Sequence, residues 1–132
     1  MSEQITIRGL VATTPRSVVT ESGLAVTSFR LAAPSRKYDQ ETANWVTDQT
    51  NWYTISSFRR LAENVATSIS KGDRILVHGR VKIRDWDNGE RSGTSVEIDA
   101  DALGPDLTFG TAMLQRLPVP EEEESEAELQ PA

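Results

Sequence analysis

A tryptophan and three cations share one face of the stretch RVKIRDW, residues 80–86. Side chains alternate between the two faces of a β-strand, so Val81 and Ile83 point one way and the other positions point the opposite way. Those outward positions are Arg80, Lys82, Arg84 and Trp86. A nucleobase stacks on an aromatic ring for about 1–3 kcal/mol, and Lys or Arg side chains neutralise phosphates. Rings interleaved with cations at two-residue spacing therefore suit a single-stranded nucleic acid.

A second stretch, NWYTISSF at residues 51–58, repeats this arrangement. Trp52 and Phe58 lie on the face opposite Ile55, separated by small hydroxyl side chains. Two alternatives stand beside stacking. Trp86 fits burial under a loop or in a subunit interface equally well, and Phe58 could plug the end of a β-barrel. Trp52 favours stacking, because it begins a strand beside a polar segment.

That polar segment, residues 34–50, has no apolar period and is predicted to be a surface loop. Within it, Arg36 and Tyr38 are predicted to contact phosphate and base. Trp45, close to the acidic Asp48, is predicted to fasten the loop to the body of the protein instead.

The elements that must position these residues follow from hydrophobic periodicity. Strands are predicted at 4–11, 18–19, 24–36, 51–58, 74–86 and 92–103. A helix is predicted at 59–72, because Leu61, Val65 and Ile69 recur at four-residue steps and Gly72 suits its C-terminal cap. The hairpin between the last two strands is predicted from the turn pair at 88–89, Asn-Gly.

This order predicts an all-β fold, a five-stranded OB-fold Greek-key barrel with one α-helix between strands 3 and 4. A β-sandwich is the alternative, disfavoured by the single mid-chain helix. Phe29 and Leu31 are predicted core residues of the second long strand. The fourth barrel strand presents its odd positions inward: Ile75, Val77, Gly79, Val81 and Ile83.

Composition excludes several classes of function. The 132 residues include no Cys and a single His, His78. This excludes disulfides, thiol catalysis and Cys-ligated zinc, and it argues against a His-based metal site. Asp85 and Asp87 flank a turn without metal-ligand spacing, so the sequence predicts neither an enzyme nor a cofactor. No apolar run predicts a membrane span and no secretory signal is recognised, so a cytoplasmic protein is expected.

Charge divides the chain into two parts. The formal net charge is −6, yet all 14 Lys and Arg lie between Arg8 and Arg116, and six of the 20 acidic residues lie beyond residue 120. The other 14 acidic residues balance the cations, so a neutral body can still carry a basic face. The sequence predicts a domain over residues 1–112 and a short, acidic, disordered tail over 113–132.

Several motifs resemble those of the bacterial single-stranded DNA-binding protein family, over roughly residues 4–112. They are FRLAAPSR, then TNWYTISSFRRLAENVATSISKGDRILVHGRVKIRDWDNGER, then VEIDADALGPDLTFGTA, whose ending is similar to the actinobacterial branch. The resemblance implies an OB-fold homotetramer that wraps single-stranded DNA without sequence preference. It also implies protection of exposed strands in replication, repair, recombination or DNA uptake, in the cytoplasm and nucleoid.

The resemblance assigns roles to individual residues. The family's stacking positions fall on Trp52, Phe58, Trp86 and Tyr38. Its phosphate contacts fall on Arg60, Lys71, Lys82 and Arg84, with Arg8, Arg30, Arg36 and Arg80 as further candidates.

The tail departs from the family pattern of a long Gly/Pro/Gln-rich linker and an acidic tip ending in D-I-P-F, which recruits repair and replication enzymes. Here LPVPEEEESEAELQPA is short and lacks a terminal apolar plug, so such recruitment is in doubt and a specialised paralogue is expected. Two other functions stay open from the residues alone. One is an OB-fold protein-interaction or assembly module, which the interleaved cations disfavour because interface cores are depleted in Lys. The other is a single-stranded RNA binder, distinguishable only through the 2′-hydroxyl.

Overall fold

The structure is a computed structural model that describes residues 3–118, apart from the side chains of residues 47 and 48. Within this range the chain forms six strands and one helix. In chain order they are β1 (Gln4–Val11), β2 (Arg16–Val19), β3 (Ala25–Asp39), β4 (Asn44–Phe58), α1 (Arg59–Ser68), β5 (Arg74–Asp87) and β6 (Ser92–Pro105). The predicted tail falls outside this range from residue 119 onwards.

Five strands close into a barrel in the order β1-β5-β6-β4-β3, and β1 closes it by pairing with β3 at Leu10↔Ala32 and Val11↔Leu31. The β4–β6 pairing is parallel and the other pairings are antiparallel. The short β2 pairs with β3 outside the barrel. Counting barrel strands alone, the helix follows the third and precedes the fourth, which confirms the predicted OB-fold order.

The core sits inside the barrel and under the helix. Phe29 on β3, Ile55 on β4 and Ile98 on β6 lie in register across neighbouring strands and are buried. Val65 and Ile69 cover one end of this cluster. The predicted core positions Phe29 and Leu31 are confirmed. Burial of these aliphatic and aromatic side chains supplies the main driving force for folding.

The predicted surface loop at 34–50 is wrong. β3 continues to Asp39 and β4 begins at Asn44, so this segment is a long two-stranded ribbon with a register shift between Ser35 and Arg36. The two strands pair with each other, and the side chains described in this segment are exposed apart from the partly buried Asp39 and Val46. A ribbon without a buried face needs no alternation of apolar and polar residues, so periodicity could not reveal it.

The predicted helix end at Gly72 is also wrong, because α1 ends at Ser68 and Ile69 already has an extended backbone. Ile69 turns into the core instead of continuing the helix. Asp73 Oδ2 accepts a hydrogen bond from the Ser70 N–H at 2.8 Å, and the Gly72 N–H donates to the Val11 carbonyl. Gly72 therefore serves a turn with φ of +97°, where the lack of a side chain avoids steric strain.

The inward row of β5 is confirmed for its first half and wrong at its end. Ile75 and Val77 are fully buried, whereas Ile83 is 67% exposed. The pairing of β5 with β1 ends at Arg80, and residues 82–87 of β5 are all exposed. β5 and β6 continue past the barrel as a free hairpin, whose turn holds Gly89 at φ of +92°.

The buried carboxylate of Asp106 fastens the residues after β6 to β1, and Arg74 fastens them to β5. Asp106 Oδ2 accepts a hydrogen bond from Arg8 Nε at 2.9 Å, and Oδ1 accepts one from the Thr108 backbone N–H at 3.0 Å. The Arg74 guanidinium lies 4.3 Å from the centroid of the Phe109 ring. The Thr108 backbone N–H, followed by the Arg8 side chain, lowers the pKa of Asp106 below its ordinary value.

Asp106→Asn is therefore expected to reduce stability in a pH-dependent way. A carboxylate whose folded-state pKa is lowered stabilises fully above its unfolded pKa, and that stabilisation is lost as pH falls through the folded-state pKa. The difference in unfolding free energy between parent and variant should be largest at neutral pH and shrink in acid. Urea unfolding at pH 7 and at pH 3 measures it. A difference that does not change with pH would contradict an ionised, hydrogen-bonded Asp106.

Candidate nucleic-acid interface

The outer face of β3 and β4 carries an aromatic ring with a cation stacked on it. Trp52 is directly opposite Ala32, and Arg30 occupies the next outward position on β3. The Arg30 guanidinium lies 5.5 Å from the centroid of the Trp52 ring, within cation–π range. The indole is 50% exposed. The small Ala32 leaves room for the Trp52 ring, and Arg30 packs on one side of it. The exposed half of the Trp52 surface remains accessible to a ligand.

Phe58 lies on the same outward face as Trp52, because the even-numbered positions of β4 share it. It pairs with Val26 and is half-buried where β4 runs directly into α1. The following residue, Arg59, has φ of +58°, a conformation that costs a non-glycine residue about 1–3 kcal/mol. Phe58 is therefore partly packed and partly exposed. This burial is compatible with both roles predicted for it, base stacking and closing the end of the barrel.

The far end of the β3–β4 ribbon carries a pair of aromatic rings. Tyr38 and Trp45 are cross-strand partners, with ring centroids 5.6 Å apart and planes at 65°. Tyr38 is 49% exposed and Trp45 is 62% exposed. Trp45 therefore does not fasten a loop to the body of the protein, as the sequence suggested. It lies on β4 with an exposed ring. Recognising 34–50 as a hairpin would have revealed it, because the two positions then face each other.

Trp86 is accommodated on the hairpin by a glycine on the neighbouring strand. It lies opposite Gly93 on β6, and a Cβ atom at Gly93 would come within 2.8 Å of the indole Cζ2 atom. The missing side chain lets the ring lie flat against the neighbouring strand. Trp86 remains 43% exposed, so its other surface is accessible. The residues around it on the hairpin line a shallow cleft.

The cations beside Trp86 face carboxylates, which the sequence reasoning missed. Lys82 Nζ lies 2.6 Å from Asp99 Oδ2, and Arg84 Nε lies 3.1 Å from Glu97 Oε2. Acidic residues at alternate positions of β6 therefore face cations at alternate positions of β5. The signal was present in the sequence, since the predicted hairpin turn fixes this register.

The other candidate cations divide into three groups. Arg8 is held by Asp106, as described above. Arg60 lines a cleft between the start of α1 and the β2–β3 turn. The third group makes no ion pair with any residue that the structure describes: Arg36, Lys71 and Arg80. His78 is an ordinary strand residue, with Nδ1 2.7 Å from Thr6 Oγ1.

Over residues 3–118, no three His, Cys, Asp or Glu side chains cluster closely enough to hold a metal ion. Over the same residues the helix α1, with 10 residues, is too short to span a membrane.

Comparison with known proteins decides the family. The model of the Single-strand binding protein family matches residues 2–106, which is most of the chain. The chain belongs to this family. The long motif from residue 50 to 91 that suggested the relationship lies entirely inside the matched range.

Individual relatives within the single-strand binding protein family agree with this assignment. Single-stranded DNA-binding protein 2 of Tropheryma whipplei is 46% identical over 112 residues, covering 85% of this chain and 74% of the relative. Single-stranded DNA-binding protein 2 of Streptomyces avermitilis is 41% identical over 133 residues, covering 100% and 82%. The crystal structure of the small single-stranded DNA-binding protein from Streptomyces coelicolor superimposes with a TM-score of 0.76 at 38% identity, covering 83% of this chain and 98% of that one.

Proposed function

We propose that the protein binds single-stranded DNA without sequence preference, by stacking bases on exposed rings and holding phosphates with neighbouring Lys and Arg. The observation that carries this proposal is Trp52, a half-exposed indole with Arg30 stacked beside it on an open strand face. Stacking is tolerant of sequence because every base has a π-face, and phosphate contacts are independent of sequence. Family membership supports the same ligand.

Five rings form the proposed stacking set: Trp52, Phe58, Trp86, Tyr38 and, added from the structure, Trp45. The proposed phosphate contacts are Arg30, Arg36, Arg60, Lys71, Arg80, Lys82 and Arg84. Arg8 was also predicted to contact phosphate. Its pairing with Asp106 supports a different role, that of fastening the chain after β6.

The wider role proposed is coating and protection of exposed strands in replication, repair, recombination or DNA uptake, without catalysis. We place the DNA-binding domain at residues 1–112 and the protein in the cytoplasm with the nucleoid. A homotetramer is proposed as well. Exposed apolar side chains outside the aromatic face support association with further copies, among them Leu76, Leu107 and Met113.

Titration of intrinsic tryptophan fluorescence with oligo-dT at several salt concentrations tests the proposal. Strong quenching of the tryptophan fluorescence is expected, because stacking against a base quenches the emission of an indole. The logarithm of the affinity should fall linearly with the logarithm of salt concentration, with a slope of about −0.7 per phosphate contact. Oligo-rU run in parallel tests the RNA alternative. Absence of binding to oligo-dT at low salt would overturn the proposed function and leave the aromatic face as a protein interface.

A further inference from the structure

The outward face of the β5–β6 hairpin carries two facing rows of opposite charge. In the strand register Lys82 is opposite Glu97, and Arg84 is opposite Ser95. Each cation nevertheless contacts the carboxylate two positions further along β6, at 2.6 Å for Lys82–Asp99 and 3.1 Å for Arg84–Glu97. Both pairs therefore use the same diagonal, and they engage the two cations that precede Trp86 on the outward face of β5.

The two members of each pair differ in their access to solvent. The carboxylate side chains of Asp99 and Glu97 are 24% and 22% exposed, whereas the side chains of Lys82 and Arg84 are 59% and 70% exposed. The acids are thus fixed near the sheet, and the cations project outward where a phosphate can approach. Glu97 Oε2 is shielded from solvent and receives no aligned hydrogen bond, although Arg84 Nε is near. That pair rests on charge attraction alone, without the directional bond that strengthens an ion pair.

We propose that Glu97 and Asp99 compete with DNA for Lys82 and Arg84, so that a bound strand must displace them. This inference rests on the proposed function and concerns how strongly the same face binds. When a DNA phosphate takes the place of a carboxylate beside Lys82 or Arg84, the displaced carboxylate must be neutralised by a cation from solution. The exchange lowers the affinity and reduces the net number of counterions released. The acidic row therefore holds the binding strength and the salt sensitivity of the hairpin below what its cations alone would give.

Asp99→Asn and Glu97→Gln test the proposal, because each removes one charge and nearly preserves the shape. Exposed ion pairs are weak, so each variant is expected to bind fluorescein-labelled oligo-dT about two- to fivefold more tightly at low salt. The slope of log affinity against log salt should steepen by up to about 0.7 for each pair removed. A merely structural role for the carboxylates would leave that slope unchanged.

Asp101→Asn is the matched control, because it removes one negative charge from the same strand, where the exposed carboxylate lies 3.9 Å from His78 Nε2 and not beside a proposed phosphate contact. Tightening equal to that of the control would overturn the inference, since net charge alone would then explain it. Weaker binding would also overturn it, because the carboxylates would then orient the cations for DNA. If the parent protein itself fails to bind oligo-dT, the proposed function fails instead.

A double-mutant cycle isolates the competing pair. In a Lys82→Ala background the effect of Asp99→Asn should disappear, because no cation remains to be released. Persistence of the tightening in that background would contradict competition at Lys82. The Arg84–Glu97 pair supplies a second, independent cycle should Asp99→Asn impair folding.

Discussion

Replacing Trp52 and Trp86 together by alanine is expected to weaken binding of oligo-dT by at least about 30-fold. Each stacked base contributes about 1–3 kcal/mol, and 1.4 kcal/mol corresponds to a factor of ten. The two rings lie on different strand pairs and share no described contact, so their effects should add. Each single variant should lose about 5- to 150-fold. Fluorescence anisotropy of labelled oligo-dT measures this without relying on the indoles that are removed.

The salt dependence separates loss of stacking from loss of charge. The tryptophan variants should bind more weakly at every salt concentration with an unchanged slope, because they remove no phosphate contact. Val19→Ala is the control, since Val19 is 71% exposed on β2, away from the aromatic face. If both tryptophan variants bound oligo-dT as tightly as the parent, the strand would have to bind elsewhere on the barrel.

The barrel could be predicted from the sequence because its strands have one buried face. Phe29 and Leu31 occupy alternate positions of β3, and burial of those positions enforces the alternation that the sequence displays. The β3–β4 ribbon between 34 and 50 has no such constraint. Its strands are held by backbone hydrogen bonds to each other, which leave no mark on side-chain composition.

The alternation of apolar and polar residues also cannot show where along a strand the burial of its inner face ends. Val77 and Ile83 occupy equivalent alternate positions of β5, yet one is fully buried and the other faces solvent. The difference arises from the partner, because β1 pairs with β5 only as far as Arg80. A contact of this kind depends on a strand some 75 residues away in the chain, and no local pattern encodes it.

The residues of the candidate site also differ in whether the sequence alone could reveal them. Trp52 and Trp86 could be identified from residue type and strand spacing, and Tyr38 from its residue type and the family resemblance. The structure shows each as a partly exposed ring. Their neighbours required the register between strands. Gly93 beneath Trp86 and Asp99 beside Lys82 become meaningful only once β5 and β6 are paired. Periodicity within one strand therefore identifies the exposed rings, but it overestimates the positive charge that is free of neighbouring carboxylates.

Ile55→Ala is expected to have the largest effect on stability, a loss of about 2–5 kcal/mol in the free energy of unfolding. Ile55 is completely buried and lies between Phe29 and Ile98 in the strand register, so truncation removes buried surface and leaves a cavity that the paired strands cannot close. Urea unfolding at one fixed protein concentration measures the loss, since association with further copies would make stability depend on concentration.

Ile83→Ala is the matched control, because it makes the same chemical change in another strand of the barrel. With 67% of its surface exposed, Ile83 has little burial to lose, so its replacement should cost less than about 1 kcal/mol. Alternation alone would assign both isoleucines to the core and predict similar losses. Equal destabilisation by the two variants would therefore show that the inner face of the hairpin is covered in solution. A second copy of the chain would be the first candidate for that cover.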